Sequence, residues 1–162
     1  MTLRLDISAP FPGWRKLKRA RTLARETIAA CVAESGLAAP ACAEVSLLLS
    51  GDAEVRAMNA RWRGQDKATN VLSFPAARPD GLAEGAPLGD IALAYETLAR
   101  EAEAGGVPLA DHYRHLVAHG FLHLIGYDHE TDEDAERMEA LETRILARLG
   151  VPDPYADGAV IG

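Results

Sequence analysis

The chain has five histidines, His112, His115, His119, His123 and His129, and all of them fall between positions 112 and 129. On a helix the first four share an arc of roughly 80°, and packing alone gives no reason to gather imidazoles on one stripe. His119 and His123 stand four apart in a segment whose Phe121, Leu122, Leu124 and Ile125 suit a buried helix. Their rings therefore leave the same face about one turn apart, as a chelating pair does. Gly126 is the residue type that most readily takes a left-handed conformation and stops a helix, so the reversed chain can carry His129 back toward the pair. Three neutral imidazole nitrogens around one ion, with a fourth position left to water, is the arrangement of catalytic zinc.

The spacing His-x3-His-x2-Gly-x2-His is the zincin-like pattern of the metzincin proteases with one change. Their general base is a glutamate directly after the first histidine; here that position is Gly120, and no glutamate stands between His112 and His129 to replace it. A peptidase or amidase built this way lacks its proton acceptor, so the pattern points to a metal site used for other chemistry. A closed structural site would need a fourth protein ligand, which His115 or Asp128 could supply; three ligands plus water favour catalysis.

These residues need elements to hold them. The histidine helix is expected from about Leu109 to Ile125, after Gly105-Gly106 and Pro108 break the short helix Ala94 to Ala104. Leu3, Leu5 and Ile7 alternate with polar residues as in a first strand. A basic amphipathic helix is expected from about Trp14 to Ser35, with Leu17, Ala24, Ile28 and Cys31 on its apolar face and Gly36 as the stop. Val45 to Leu49 reads as a buried strand, and Asp52 can cap the next helix, where Trp62 could stack on a base, although sharing a face with Val55 and Met58 favours the core for it. That helix delivers Arg61, Arg63 and Lys67 into a polar loop before the strand Val71 to Phe74. Residues 75 to 88 read as a Pro, Gly and Ala-rich connection, and Ile91 to Tyr95 as another strand. Thr131 with Asp134 resembles a capping box opening a last helix, in which Met138, Leu141, Ile145 and Leu149 share a face. Gly150 and Pro152 close it. The expectation is an α+β fold: a single compact domain over 1–152 with a small mixed β-sheet and about five helices, then a poorly ordered tail over 153–162.

At 162 residues the length suits one core. No apolar run approaches a membrane span, and the N-terminus lacks a basic start followed by an apolar stretch and cleavage site, so a cytoplasmic protein is expected. Cys31 and Cys42 are read as free thiols rather than a disulfide. The net charge of −7 would seem to oppose an RNA substrate, but residues 1–78 hold 12 Lys and Arg against 7 Asp and Glu, while residues 79–162 hold 5 against 17. A basic half beside an acidic half suits a molecule that turns one face to nucleic acid.

The run HGFLHLIGYDH, the upstream run from Asn59 to Pro75 (NARWRGQDKATNVLSFP) and Leu88-Gly89-Asp90-Ile91 together resemble the YbeY family of bacterial rRNA maturation factors, over roughly residues 44–150. The resemblance implies a zincin-like packing of the histidine helix under the sheet. It also implies a metal-dependent endoribonuclease specific for single-stranded RNA, acting in 16S rRNA 3′-end processing and ribosome quality control. By motif match the Zn2+ ligands are His119, His123 and His129, one ion per chain, and the functional arginine is Arg63. Small-subunit ribosomal proteins and a ribosome-associated GTPase are the implied partners. Ala68 and Asn70 depart from the family's frequent Pro and Asp. For phosphodiester cleavage Arg63 suits the charged phosphate, and with Gly120 in place of a base, His115 or Asp128 is left to move protons; Asp128 can instead orient an imidazole. The rival reading is a non-catalytic, ribosome-associated zinc-binding module.

Overall fold

The computed structural model of the chain describes residues 2–36, 42–76 and 86–156. Four strands, β1 (Thr2–Ser8), β2 (Cys42–Ser50), β3 (Val71–Pro75) and β4 (Ala86–Ala94), form one sheet in the order β1-β2-β4-β3. β2 runs parallel to both β1 and β4, and β3 closes the edge antiparallel to β4. Five α-helices accompany it among the described residues: α1 (Ala20–Ser35), α2 (Asp52–Arg63), α3 (Tyr95–Ala104), α4 (Leu109–Leu124) and α5 (Asp132–Arg148). The small mixed sheet and helix count agree with the expected α+β domain.

Alternation along the strands gives the sheet two apolar faces. Val45, Leu47, Leu49, Ile91 and Leu93 belong to the main core, which they share with α1, α4 and α5. Leu72, Ala92 and Ala94 pack on the other side with Val55 of α2. Helix α4 lies inside the main core, and every residue from His115 to Leu122 is buried. Gly120 lets it lie that close: a Cβ there would stand 2.9 Å from Ile91 Cγ2 and 3.2 Å from Ser73 Oγ. The same Ser73 hydroxyl donates to the Gly120 carbonyl at 3.0 Å, tying α4 to β3.

Several expected boundaries move, each because a tertiary contact outweighs local preference. The first helix is two pieces: a 3-10 turn over Pro12–Lys16, then α1 from Ala20, with Arg19 between them at φ 62°. Trp14 causes the break, since its buried indole donates to the Ser50 carbonyl at 2.8 Å and anchors the turn on β2. β4 begins at Ala86 and β3 includes Pro75, so both ends of the expected 75–88 connection are strand, while residues 77–85 lie outside those described. Parallel pairing with β2 recruits this Pro- and Gly-bearing stretch, consistent with strand formation following partners more than propensity. Gly89 there holds φ 143°, with the Phe74 carbonyl where a Cβ would be. Trp62 is 65% exposed rather than core, because α2 covers the sheet through Val55 and Met58 and its last turn overhangs. The tail is placed through residue 156, Tyr155 hydrogen-bonding back to α5; residues 157–162 lie outside those described. Cys31 is buried and free, and the side chain of Cys42 lies outside the description.

Candidate metal centre

His119 and His123 project from α4 one turn apart, and the turn beyond the helix returns His129 to them. Gly126 takes φ 104°, its N–H bonding the His123 carbonyl at 3.2 Å, while Tyr127 N–H reaches back to the Leu122 carbonyl at 3.0 Å. The three imidazoles offer one nitrogen each, all within 4.8 Å of one another. The Nε2 atoms of His119 and His123 lie 3.1 Å apart, near the roughly 3.3 Å separating two tetrahedral ligands at 2.0–2.1 Å from zinc. Burial, then repulsion from His119 and His129, lowers the His123 pKa to about 4. It is therefore neutral at pH 7, as a metal ligand must be. The donor set thus fits a borderline-soft divalent ion.

Behind this face stands Glu142 of α5, fully buried. Its Oε1 lies 2.7 Å from His119 Nδ1, and its Oε2 accepts the Tyr155 hydroxyl at 2.6 Å. His115 Nε2 lies 3.2 Å from the same hydroxyl. Burial pushes the Glu142 carboxyl up, but hydrogen bonds from His115 and His119 and attraction to both rings outweigh it and hold the pKa at about 2. An ionised carboxylate on Nδ1–H fixes the His119 tautomer with the Nε2 lone pair turned outward, the usual carboxylate–histidine–metal relay. Glu142 and Tyr155 escaped the sequence reading. The signal was present for Glu142, which falls between Met138 and Ile145 on the apolar stripe of α5, where an unpaired carboxylate would be costly.

The three histidines open onto a cleft of ≈ 550 Å³, whose lining also includes Arg63, Gln65 and Lys67. Arg63 ends α2. Gly64 then turns the chain at φ 69°, with Gly64 N–H on the Ala60 carbonyl and Gln65 N–H on the Asn59 carbonyl, both at 3.2 Å. Asn59 Nδ2 donates to the Lys67 carbonyl at 3.0 Å, and Arg56 holds Asp66 at 2.8 Å, so the basic loop is pinned at both ends. His115 is turned away from the cleft toward Glu142 and Tyr155, which removes it as a proton carrier for a substrate there. His112 pairs with Glu101 at 2.9 Å. Asp128 lines the cleft and accepts the Glu130 N–H at 3.2 Å; the carboxylate that orients an imidazole is Glu142.

An α+β domain with a three-histidine centre in an arginine-lined cleft is the class that fold and site define. The chain belongs to the Endoribonuclease YbeY family, whose model matches residues 14–150. It is 57% identical over 145 residues to the endoribonuclease YbeY of Bradyrhizobium diazoefficiens, covering 87% of this chain and 75% of that one. To the protein of the same name from Methylocella silvestris it is 49% identical over 153 residues, covering 94% and 86%. A solution structure of a Thermotoga maritima protein shares the fold with a TM-score of 0.55 at 23% identity, covering 98% of this chain and 99% of that one. No described helix is long and apolar enough to cross a membrane.

Proposed function

We propose that this chain is a zinc-dependent endoribonuclease that cleaves single-stranded RNA, acting in the cytoplasm on the 16S rRNA 3′ end and in ribosome quality control. The observation that carries the reading is that His119, His123 and His129 share one cleft with Arg63, and the name of the family accords with it. Zinc, when bound, supplies Lewis acidity toward a phosphoryl oxygen and a nucleophile at neutral pH. Glu142 keeps His119 oriented toward the ion. Arg63, always charged and able to grip two oxygens, receives the scissile phosphate and stabilises the charge that develops on it. Lys67 and Gln65 hold the flanking backbone, and Asp128, one of two carboxylates lining the cleft with Glu130, is placed to exchange protons with the reacting groups. Small-subunit ribosomal proteins and a ribosome-associated GTPase are the partners that would bring the enzyme to its substrate.

Elemental analysis of wild type, His123→Ala and Arg63→Ala, with single-stranded RNA cleavage on the same samples, tests this. The expected result is about one zinc per chain, lost with His123 and kept in Arg63→Ala, and cleavage abolished in the first variant and reduced roughly 10²- to 10³-fold in the second. Metal bound equally while RNA survives wild type and variants alike would make the centre structural.

A further inference from the structure

The last turn of α2 faces two cavities. Arg63 lines the metal cleft, while Trp62, its neighbour, lines a second groove of ≈ 500 Å³ on the α2 side of the sheet. The edge strand β3 divides them, Ser73 facing the cleft and Phe74 the groove. A single strand of nucleic acid lying along the basic end of α2 therefore meets both. We propose that Trp62 and this groove form a nucleobase subsite of the RNA-binding surface, taking one unstacked base that carries an exocyclic amine. The proposal rests on the endoribonuclease reading and extends it to substrate choice.

Three features support this occupant. Trp62 is 65% exposed in a molecule whose other tryptophan, Trp14, is 4% exposed. The Arg61 guanidinium lies over its ring, 5.1 Å from the centroid, so the exposed indole carries a cation on one face, the combination of aromatic and arginine used to bind single strands. The groove is also chemically divided. Met58 and Phe74 supply apolar contact, whereas Asp6, Ser46 and Asp90 form a row of direct cross-strand neighbours over β1, β2 and β4. Two carboxylates would repel a phosphate, which stays with Arg61, Arg63 and Lys67. They accept hydrogen bonds from the exocyclic amines of cytosine, adenine or guanine, which uracil lacks.

Tryptophan fluorescence of the full-length protein reads the subsite directly, since Trp14 is buried. Titration with 2′-O-methyl hexacytidylate should quench the emission saturably, and hexauridylate should do so more weakly; Asp90→Ala should narrow the difference. In RNA cleavage, Trp62→Ala should raise KM roughly 5- to 100-fold with kcat within about twofold, and Trp62→Phe should recover most of the loss. Unchanged KM in Trp62→Ala, together with emission indifferent to both oligonucleotides while wild type still cleaves, would overturn the subsite and leave the nuclease standing. Quenching by a hexalysine peptide but by neither oligonucleotide would reassign the groove to a basic protein partner. Failure of wild type to bind or cleave RNA would remove both readings together.

Discussion

Replacing Glu142 with glutamine keeps the shape of the relay and removes its charge. The amide oxygen can still accept from His119 Nδ1, now 2.7 Å from Oε1, but as a neutral acceptor; the amide nitrogen replaces the oxygen that receives the Tyr155 hydroxyl at 2.6 Å, so that hydroxyl must turn. Loss of such an outer-shell carboxylate weakens metal binding by about 10- to 100-fold, or roughly 1.4–2.8 kcal/mol at 1.4 kcal/mol per decade. The stabilisation that a saturating metal adds to the fold falls by the same amount. For a chain of this size, at about 2–4 °C per kcal/mol, the gap in Tm between zinc-loaded and chelated protein should narrow by roughly 3–11 °C. Chelator competition gives the affinity and thermal unfolding with and without EDTA gives the gap, so the two can be compared. Glu142→Ala is the harsher variant, leaving the buried His119 Nδ1 without its acceptor and the Tyr155 hydroxyl with only His115, and should lose about 1–3 kcal/mol even without metal. If Glu142→Gln binds zinc as tightly as wild type and keeps the full Tm gap, the carboxylate does not orient His119, and the relay is wrong.

Gly120→Ala tests the close packing of α4 on the sheet. Overpacking against Ile91 should cost about 1–3 kcal/mol, of which the better helix propensity of alanine returns up to about 1 kcal/mol, and a net gain in Tm would show that the contact at 2.9 Å relaxes freely. Gly89→Ala combines φ 143° with a Cβ placed against the Phe74 carbonyl oxygen; it should be the more damaging of the two, beyond about 3 kcal/mol, and equal stability of both variants in urea would contradict this. Acid unfolding tests Glu101, whose carboxyl burial would raise but whose hydrogen bonds from His112 and Asn70 lower, for a net downward shift. Its stabilisation is present above the unfolded-state value and lost as pH falls through the lower folded-state value. In His112→Ala the folded-state value moves up toward the unfolded one, so less stabilisation is left to hold the fold in acid and the midpoint by circular dichroism should rise; an unchanged or lower midpoint would remove the pair from the balance.

How far the sequence reaches depends on how local the determinant is. Spacing of four on a helix and a glycine stop are local, so the convergence of His119, His123 and His129 could be read directly. The N-cap of α5 was legible for the same reason, and Thr131 accepts the Asp134 N–H at 3.1 Å as its position implies. The core face of α5 was legible as periodicity, yet that periodicity concealed Glu142, because a buried charge is tolerated only when partners from α4 and the chain end arrive to satisfy it. Trp62 was misjudged on the same ground: helical spacing says which residues share a face, not where the surface beneath that face ends. The first half of β4, Ala86 to Asp90, escaped because parallel pairing draws a Pro- and Gly-containing stretch into the sheet that its own propensities would leave out, whereas the half from Ile91 was legible.

The sequence by itself determined which residues can bind a metal, and the change at Gly120 that takes away the peptidase base. Tertiary structure decided what those residues meet. It set Arg63 in the same cleft as the histidines, turned His115 away from it, put Glu142 behind His119 and left Trp62 exposed beneath Arg61. Each of these is a contact or an orientation between segments far apart in the chain, and such relations depend on how helices and sheet pack, which no local pattern of residue types encodes.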